Sequence, residues 1–138
     1  MSIIKEIFKD TDMGINAINS IRSYVENEEL MHRVLCQRED LKKIREQAES
    51  MLTDNDAKEC QTGRLRQAMV KTNAFVTMMF DKSSDHIAKM LIEGTNMGID
   101  SLQSEINALE KDGENAPQLA FDLMDTYQKN LSELRSFL

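Results

Sequence analysis

Apolar residues recur at three- and four-residue steps along most of the chain, which is the period of an amphipathic helix. Runs of β-branched or aromatic residues are scarce, so the predicted fold class is all-α. Residues 53–61 are polar and aperiodic, and we expect them to form a connector. The periodic segments predict five helices, at about 2–24, 28–52, 62–80, 84–112 and 117–138.

Start and stop signals bound several of these helices. Asn27, followed by two glutamates, is predicted to cap the second helix. Gly113 is predicted to end the fourth helix. Asn115, Pro117 and Gln118 offer a cap residue, a first-turn proline and an amide three residues after the cap. These three residues predict that Asn115 caps the fifth helix.

The periodic positions form the predicted hydrophobic core, and the opposite faces carry charges. On the second helix, Glu39 with Lys43 and Arg45 with Glu49 stand four residues apart and are expected to be solvated pairs. The predicted core consists of Ile3, Ile7, Ile18, Ile21, Val25, Leu30, Val34, Leu41, Ile44, Ala48, Met51, Ile87, Leu91, Leu102, Ile106, Leu109, Leu119, Leu123, Tyr127, Leu134 and Phe137.

The sequence carries a weak internal repeat. Sliding residues 3–26 by 84 positions gives eight identities in 24 positions, with "TDMGI" falling opposite "TNMGI". Past the turn the offset grows to 86, and Leu41 of the second helix then falls opposite Tyr127 of the fifth. The repeat predicts one domain, 1–138, built from a helical hairpin at 2–52, a crossover helix at 62–80 and a second hairpin at 84–138.

Both copies of the repeat place a glycine inside a helix. Glycine costs a helix interior about 1 kcal/mol relative to alanine, so a compensating close approach is expected at Gly14 and Gly98. We predict that the first and fourth helices cross at these glycines on a pseudo-twofold axis, with Met13 and Met97 packed beside them. Inheritance of both glycines from an ancestral duplication is the alternative.

Two helical hairpins joined by a long crossover is the arrangement of ferritin-like four-helix bundles. A helix over 62–80 would reach roughly 28 Å and is long enough to be that crossover. The segment "SSDHIAKMLIEGTNMGI" at 83–99 and the terminal "SFL" resemble an uncharacterised bacterial family of small ferritin-like helical proteins. The resemblance covers most of the chain and implies a ferritin-like up-down bundle without an established activity.

Composition and charge narrow the function classes. The net charge of −7 opposes binding to phosphate backbones, so nucleic acid is not an expected partner. There is no apolar run long enough to span a bilayer and no apolar signal-peptide region, which predicts a cytoplasmic protein without membrane insertion. Cys36 lies in a helical pattern and Cys60 in the polar connector, so we expect one buried and one surface thiol and no disulfide.

The metal ligands typical of ferritin-like iron proteins are missing at the expected spacing. Such proteins place a Glu on each of two helices and a Glu-x-x-His on each of the other two. Here Glu39 is followed three residues later by Lys42, and Asp122 by Asp125. A dinuclear metal site of this kind is therefore not expected.

The remaining candidates for chemistry are weak. His86 and Glu93 stand two helical turns apart, too far to share one ion without ligands from other helices. His86 and His32 are both expected to be solvated. Glu105 takes the repeat position of apolar Ile21, and a shift of the apolar stripe to Ile106 would explain it. We assign no catalytic, cofactor-binding or metal-binding residues and no cofactor, and an enzyme is not indicated.

The predicted crossover helix is apolar on more than one face. Its residues either pack in the core or form a surface through which two copies associate. We therefore expect a non-enzymatic helical bundle that acts through protein contacts, with a homodimer as its simplest form. A ferritin-like metal-binding or redox protein with an irregular site is the alternative. The crossover residues concerned are Met69, Phe75, Val76, Met78, Met79 and Phe80.

Overall fold

The computed structural model describes residues 3–60 and 83–138, and these two ranges form an all-α bundle without a strand. A 3-10 turn at Arg22–Tyr24 follows the first helix, and residues 54–60 are also helical. The predicted crossover helix at 62–80 lies outside the described residues. The long helices are α1 at Ile3–Ile21, α2 at Glu28–Met51, α3 at Ser84–Lys111 and α4 at Gln118–Arg135.

The predicted break between the first two helices is confirmed. Asn27 is extended at the start of α2, and its side-chain oxygen accepts a hydrogen bond from the backbone N–H of Leu30 at 2.9 Å. The end of α3 at Gly113 is also confirmed. Gly113 has a φ of +74°, and the N–H of Glu114 then reaches back to the carbonyl of Leu109 at 2.9 Å.

The predicted cap of the last helix is wrong. The residue that precedes α4 is Pro117, and α4 begins at Gln118. Pro117 is extended, with φ −67° and ψ 154°, and its carbonyl accepts from the N–H of Ala120 at 3.0 Å. Proline has its φ fixed near the value that a cap requires, so the chain turns into the helix two residues after Asn115.

The predicted connector is partly helical. Thr53 Oγ1 accepts a hydrogen bond from the N–H of Asp56 at 3.2 Å, which starts the helical stretch at 54–60. Lys5 on α1 forms an ion pair with Glu59. Cys60 is only 2% exposed and joins the hydrophobic core. This stretch therefore packs against the beginning of α1.

The four long helices pack in the cyclic order α1, α2, α4, α3. Ion pairs and hydrogen bonds across α1 and α2 join Asn19 to Arg38 and Asp12 to Arg45, so the two helices are antiparallel. Across α2 and α4 they join Arg33 to Glu133 and Asp40 to Lys129, again antiparallel. Because α3 and α4 form a hairpin, α2 ends and α3 begins at opposite ends of the bundle.

Most of the predicted core is buried, with three exceptions. Met51 is 53% exposed because it is the last residue of α2, beyond the buried Ala48. Leu109 and Phe137 are half-buried at the ends of the second hairpin. One thiol is buried and one is exposed, as predicted, but the exposed one is Cys36 of the helical pattern and the buried one is Cys60 of the connector.

Neither of the two predicted surface pairs forms between the residues expected. Arg45 turns inward and pairs with Asp12 of α1 at 2.9 Å, where the side chains are 17% and 5% exposed. Glu39 pairs with Lys42, three residues later and at 3.4 Å, instead of with the predicted Lys43. Arg45 can reach a buried carboxylate because its long apolar stem crosses the helix surface before the guanidinium.

Candidate functional site: a cleft between α1 and α3

A cleft of about 420 Å³ opens between α1 and α3. Side chains of these two helices form its walls, and residues of α2 and α4 form its floor. We call it the interhelix cleft. The described residues that line its floor are Gln37, Leu41, Tyr127 and Asn130, and those nearest its mouth, being exposed, are Gly94, Met97 and Ser101.

Both repeat glycines line this cleft, and the predicted helix crossing at them is wrong. A Cβ on Gly14 would stand 2.9 Å from Leu41 Cδ1, while a Cβ on Gly98 would stand 2.9 Å from Tyr127 Cζ. Each glycine therefore makes room for a large side chain from the other helix of its own hairpin. The two glycine-bearing helices are separated by the cleft at this level instead of crossing closely.

The predicted packing of the two methionines is also only partly correct. Met13 is half-buried on the α1 wall, whereas Met97 is 70% exposed. Gly94 lies one turn before Gly98, and no atom of residues 3–60 and 83–138 stands within 4 Å of the point where its Cβ would be. The α3 wall is therefore thin, because it lacks side chains at two positions one turn apart.

A threonine stands three residues before each of the repeat glycines, at Thr11 and Thr95. Thr11 Oγ1 donates to the carbonyl of Ile7 at 2.8 Å, and Thr95 Oγ1 donates to the carbonyl of Leu91 at 2.7 Å. Each hydroxyl is satisfied within its own helix, so neither needs a partner across the bundle. Thr95 lines the interhelix cleft, but its hydroxyl is already hydrogen-bonded within α3.

The floor of the interhelix cleft is unusually polar for the centre of a helical bundle. Gln37, Tyr127 and Asn130 are 4%, 6% and 3% exposed. Gln37 Nε2 donates to the backbone carbonyl of Asn130 at 3.4 Å, which links α2 to α4. Asn130 Oδ1 is buried and has no hydrogen-bond partner within the described part of the chain. A buried acceptor in this state costs roughly 1–3 kcal/mol, so the site gains from a group that donates to it.

Tyr127 is a neutral phenol at physiological pH. Burial raises the pKa of its hydroxyl above the ordinary value of 10.0, and the negative charge of Asp10 raises this pKa further. Asp10 also lines the cleft, from the α1 wall. The Tyr127 hydroxyl on the floor therefore stays protonated and can donate a hydrogen bond.

The histidine candidates do not come together. His86 is half-buried and its Nε2 is enclosed, with no hydrogen-bond partner among the residues described, so the prediction of a solvated side chain is wrong. His86 stands in the first turn of its helix, which begins at Ser84, and precedes the buried Ile87. Glu93 is exposed elsewhere on α3. His32 is exposed, as predicted, with Cys36 Sγ 3.7 Å from its Nε2.

The position of Glu105 agrees with the expected shift of the apolar stripe. Ile106 is buried at 4% exposure, while Glu105 is half-buried. In residues 3–60 and 83–138 no group of three or more His, Cys, Asp or Glu side chains is placed to hold a metal ion. Within the same ranges no helix has the length and apolarity needed to cross a bilayer.

The polar floor was missed by sequence reasoning, although the helical period pointed to it. Gln37 falls between Val34 and Leu41 at steps of three and four residues, and Asn130 falls between Tyr127 and Leu134 in the same way. Both amides therefore occupy core positions. The sequence signal for this floor is a polar residue at a position where the helical period requires an apolar one.

Comparison of the chain with protein-family models, curated proteins and solved structures finds no match. The resemblance to an uncharacterised bacterial ferritin-like family stays a prediction.

Proposed function

We propose that this protein is a non-enzymatic helical bundle that functions by binding, with the interhelix cleft as its site for a small, mostly apolar molecule. The observation that carries this proposal is the cleft itself. Its volume of about 420 Å³ lies within the range of roughly 300 to 1,000 Å³ usual for small-molecule sites. Its lining combines apolar walls with a few buried polar groups, which is the usual composition of such sites.

The glycines of the walls support a binding role. Protein interiors are normally filled by side chains. A glycine inside a helix lowers the stability of that helix by about 1 kcal/mol relative to alanine. Among the residues that the structure describes, none makes a close contact at the Cβ position of Gly94 that would offset this cost. A ligand that occupies the space beside Gly94 would explain why the position lacks a side chain.

A cleft-filling variant tests this proposal. We expect 1-aminoanthracene, a small fluorescent apolar amine, to bind the parent saturably. Gly94→Leu places a side chain where the structure has open space and should weaken binding at least about tenfold, since it competes for the same volume. Gly94→Ala is the matched control, because it removes the glycine but fills little space, and it should bind as the parent does.

The contrary results are clear. A parent that shows no saturable fluorescence change contradicts the proposal. So does a Gly94→Leu protein that is folded by circular dichroism and binds the probe as tightly as Gly94→Ala.

We also retain the proposal that the chain self-associates, through the Met- and Phe-rich residues of 62–80. Those residues lie outside the described ranges, and the support from the described ones is the 70% exposure of Met97 beside the cleft. Light scattering on the full chain tests it, and a monomer at high micromolar concentration contradicts it. The ferritin-like metal-binding alternative is tested by metal analysis of protein purified without added ions, where a stoichiometric metal would favour it.

A further inference from the structure

Cys36 and His32 form a pair on the exposed side of α2. They stand four residues apart, so one helical turn brings both side chains to the same face. Cys36 Sγ lies 3.7 Å from His32 Nε2, and both residues are exposed. Gln37, the next residue, is buried on the floor of the interhelix cleft. The pair therefore belongs to a different face of α2 from the cleft.

The separation of the two atoms matches that of two ligands on one metal ion. Zn²⁺ binds a thiolate sulfur at about 2.3 Å and an imidazole nitrogen at roughly 2.0 to 2.1 Å, in tetrahedral geometry. These bond lengths place the two ligand atoms about 3.5 to 3.6 Å apart. At 3.7 Å, Cys36 Sγ and His32 Nε2 can bind one ion with little movement of either side chain. Binding releases the thiol proton to solvent and uses a neutral imidazole with its hydrogen on Nδ1.

The charges near the pair do not oppose a cation. Arg33 follows His32 and pairs with Glu133 of α4 at 3.1 Å. Lys129 of α4 is close enough to interact with a charge on the thiol, and it pairs with Asp40 at 3.2 Å. Two exposed glutamates in the first turn of α2 add negative charge one turn before His32. The two cations are thus paired, and the carboxylates outnumber them.

The ligand set selects the class of ion. Thiolate and imidazole suit Zn²⁺, Cd²⁺ and Cu⁺, whereas Mg²⁺ and Ca²⁺ require oxygen ligands. Within residues 3–60 and 83–138, no third His, Cys, Asp or Glu joins this pair. A tetrahedral ion held here therefore keeps two positions for water or another molecule, unlike the closed four-ligand sites that hold structural zinc.

We propose that His32 and Cys36 are the two protein ligands of an open surface site for Zn²⁺ or a similarly thiophilic cation. The site goes beyond the proposed function and does not rest on it, because neither residue lines the interhelix cleft. It also differs from a ferritin-like site, which would hold its ions among carboxylates inside the bundle. Because two positions of the ion stay open, the ion is exchangeable and can bind an external ligand.

Cadmium is the probe for this site, because its bond to a thiolate gives an ultraviolet charge-transfer band. The full chain is kept reduced with a phosphine, which does not compete for the ion as a thiol reductant would, and is titrated with Cd²⁺. We expect a saturable band at one ion per chain. Excess Zn²⁺ should abolish the band by displacing Cd²⁺, and the same excess of Mg²⁺ should leave it unchanged.

The composition of the chain supplies matched controls, since it contains two cysteines and two histidines in all. Cys36→Ser leaves the buried Cys60 as the sole thiol and should lose the band. His32→Ala should weaken Cd²⁺ binding at least about tenfold, since losing even a group that only hydrogen-bonds to a ligand costs roughly 10- to 100-fold. His86→Ala removes the other histidine and should bind as the parent does. His32 and Cys36 are exposed, so their variants should keep the helical content by circular dichroism.

The absence of a saturable band in the parent overturns the inference, and so does a band that persists in Cys36→Ser. If His32→Ala binds Cd²⁺ as tightly as the parent, or if His86→Ala loses as much affinity, His32 is not the second ligand and the two-residue site is refuted. A ratio of one ion to two chains would mean that a second copy fills the remaining positions, which refutes an open site. Dye binding in the interhelix cleft is a separate measurement, so failure of this site leaves the proposed function standing.

Discussion

The two hairpins, α1 with α2 and α3 with α4, use the same buried register but different chemistry. At the offset of 86, Leu41 and Tyr127 occupy equivalent positions, and each is seated on the glycine of its own hairpin. Further equivalent pairs are both buried. These pairs are Val34 with Ala120, Gln37 with Leu123, Ile44 with Asn130 and Ala48 with Leu134.

The difference lies in how each hairpin satisfies its polar groups. The first contains the buried pair of Asp12 and Arg45, whereas the positions equivalent to them hold Asn96, which is exposed, and Leu131, which is buried. The buried amides also differ between the hairpins. The counterpart of Gln37 is Leu123, and the counterpart of Asn130 is Ile44. The two hairpins thus share the positions that they bury. The polar character of the cleft floor comes from residues that differ between them.

The largest expected effect comes from replacing only one member of the Asp12–Arg45 pair by its counterpart in the second hairpin. Arg45→Leu removes the Arg45 guanidinium that pairs with the 5% exposed Asp12 carboxylate and should destabilise the fold by about 3 kcal/mol, measured by urea unfolding. The double variant Asp12→Asn with Arg45→Leu reproduces the residues of the second hairpin and should recover most of the loss. A double variant no more stable than the single one would show that the two hairpins are not interchangeable at this level.

The next effect separates the two glycine contacts. Gly98→Ala brings a Cβ to 2.9 Å from Cζ and 3.1 Å from Cε2 of the buried Tyr127 ring, which cannot move aside easily. We expect a net loss of about 1–2 kcal/mol after the gain in helix propensity. Gly14→Ala meets only the tip of Leu41, a flexible group, and should stay within about 1 kcal/mol of the parent.

Gly94→Ala is the control in the same helix as Gly98. It meets no atom within 4 Å and should raise stability by roughly 0.5–1 kcal/mol through helix propensity alone. Equal melting temperatures for Gly98→Ala and Gly94→Ala would contradict the description of a tight contact at Tyr127.

Helical periodicity predicted the bundle and most of the core, because a helix that buries one face needs apolar residues at three- and four-residue steps. The cap residue Asn27 predicted the break between the first two helices. The sequence predicted a close contact at Gly14 and Gly98, but it assigned that contact to the wrong pair of helices. Spacing along one helix does not tell which neighbouring helix fills the room that a glycine leaves. Arg45 was misplaced for a related reason, since a charged residue on a helix flank can reach either solvent or a buried carboxylate.

The smallest effect tests how the two hairpins begin their second helices. Asn27 caps α2 through its side chain, which accepts from the N–H of Leu30 at 2.9 Å, so Asn27→Ala should cost about 1 kcal/mol. α4 begins after Pro117 without a side-chain cap hydrogen bond, and Asn115 is exposed. Asn115→Ala should therefore change stability by no more than about 0.5 kcal/mol. Chemical denaturation of both variants measures the difference, and a loss at Asn115 as large as that at Asn27 would mean that Asn115 contributes to the start of α4 after all.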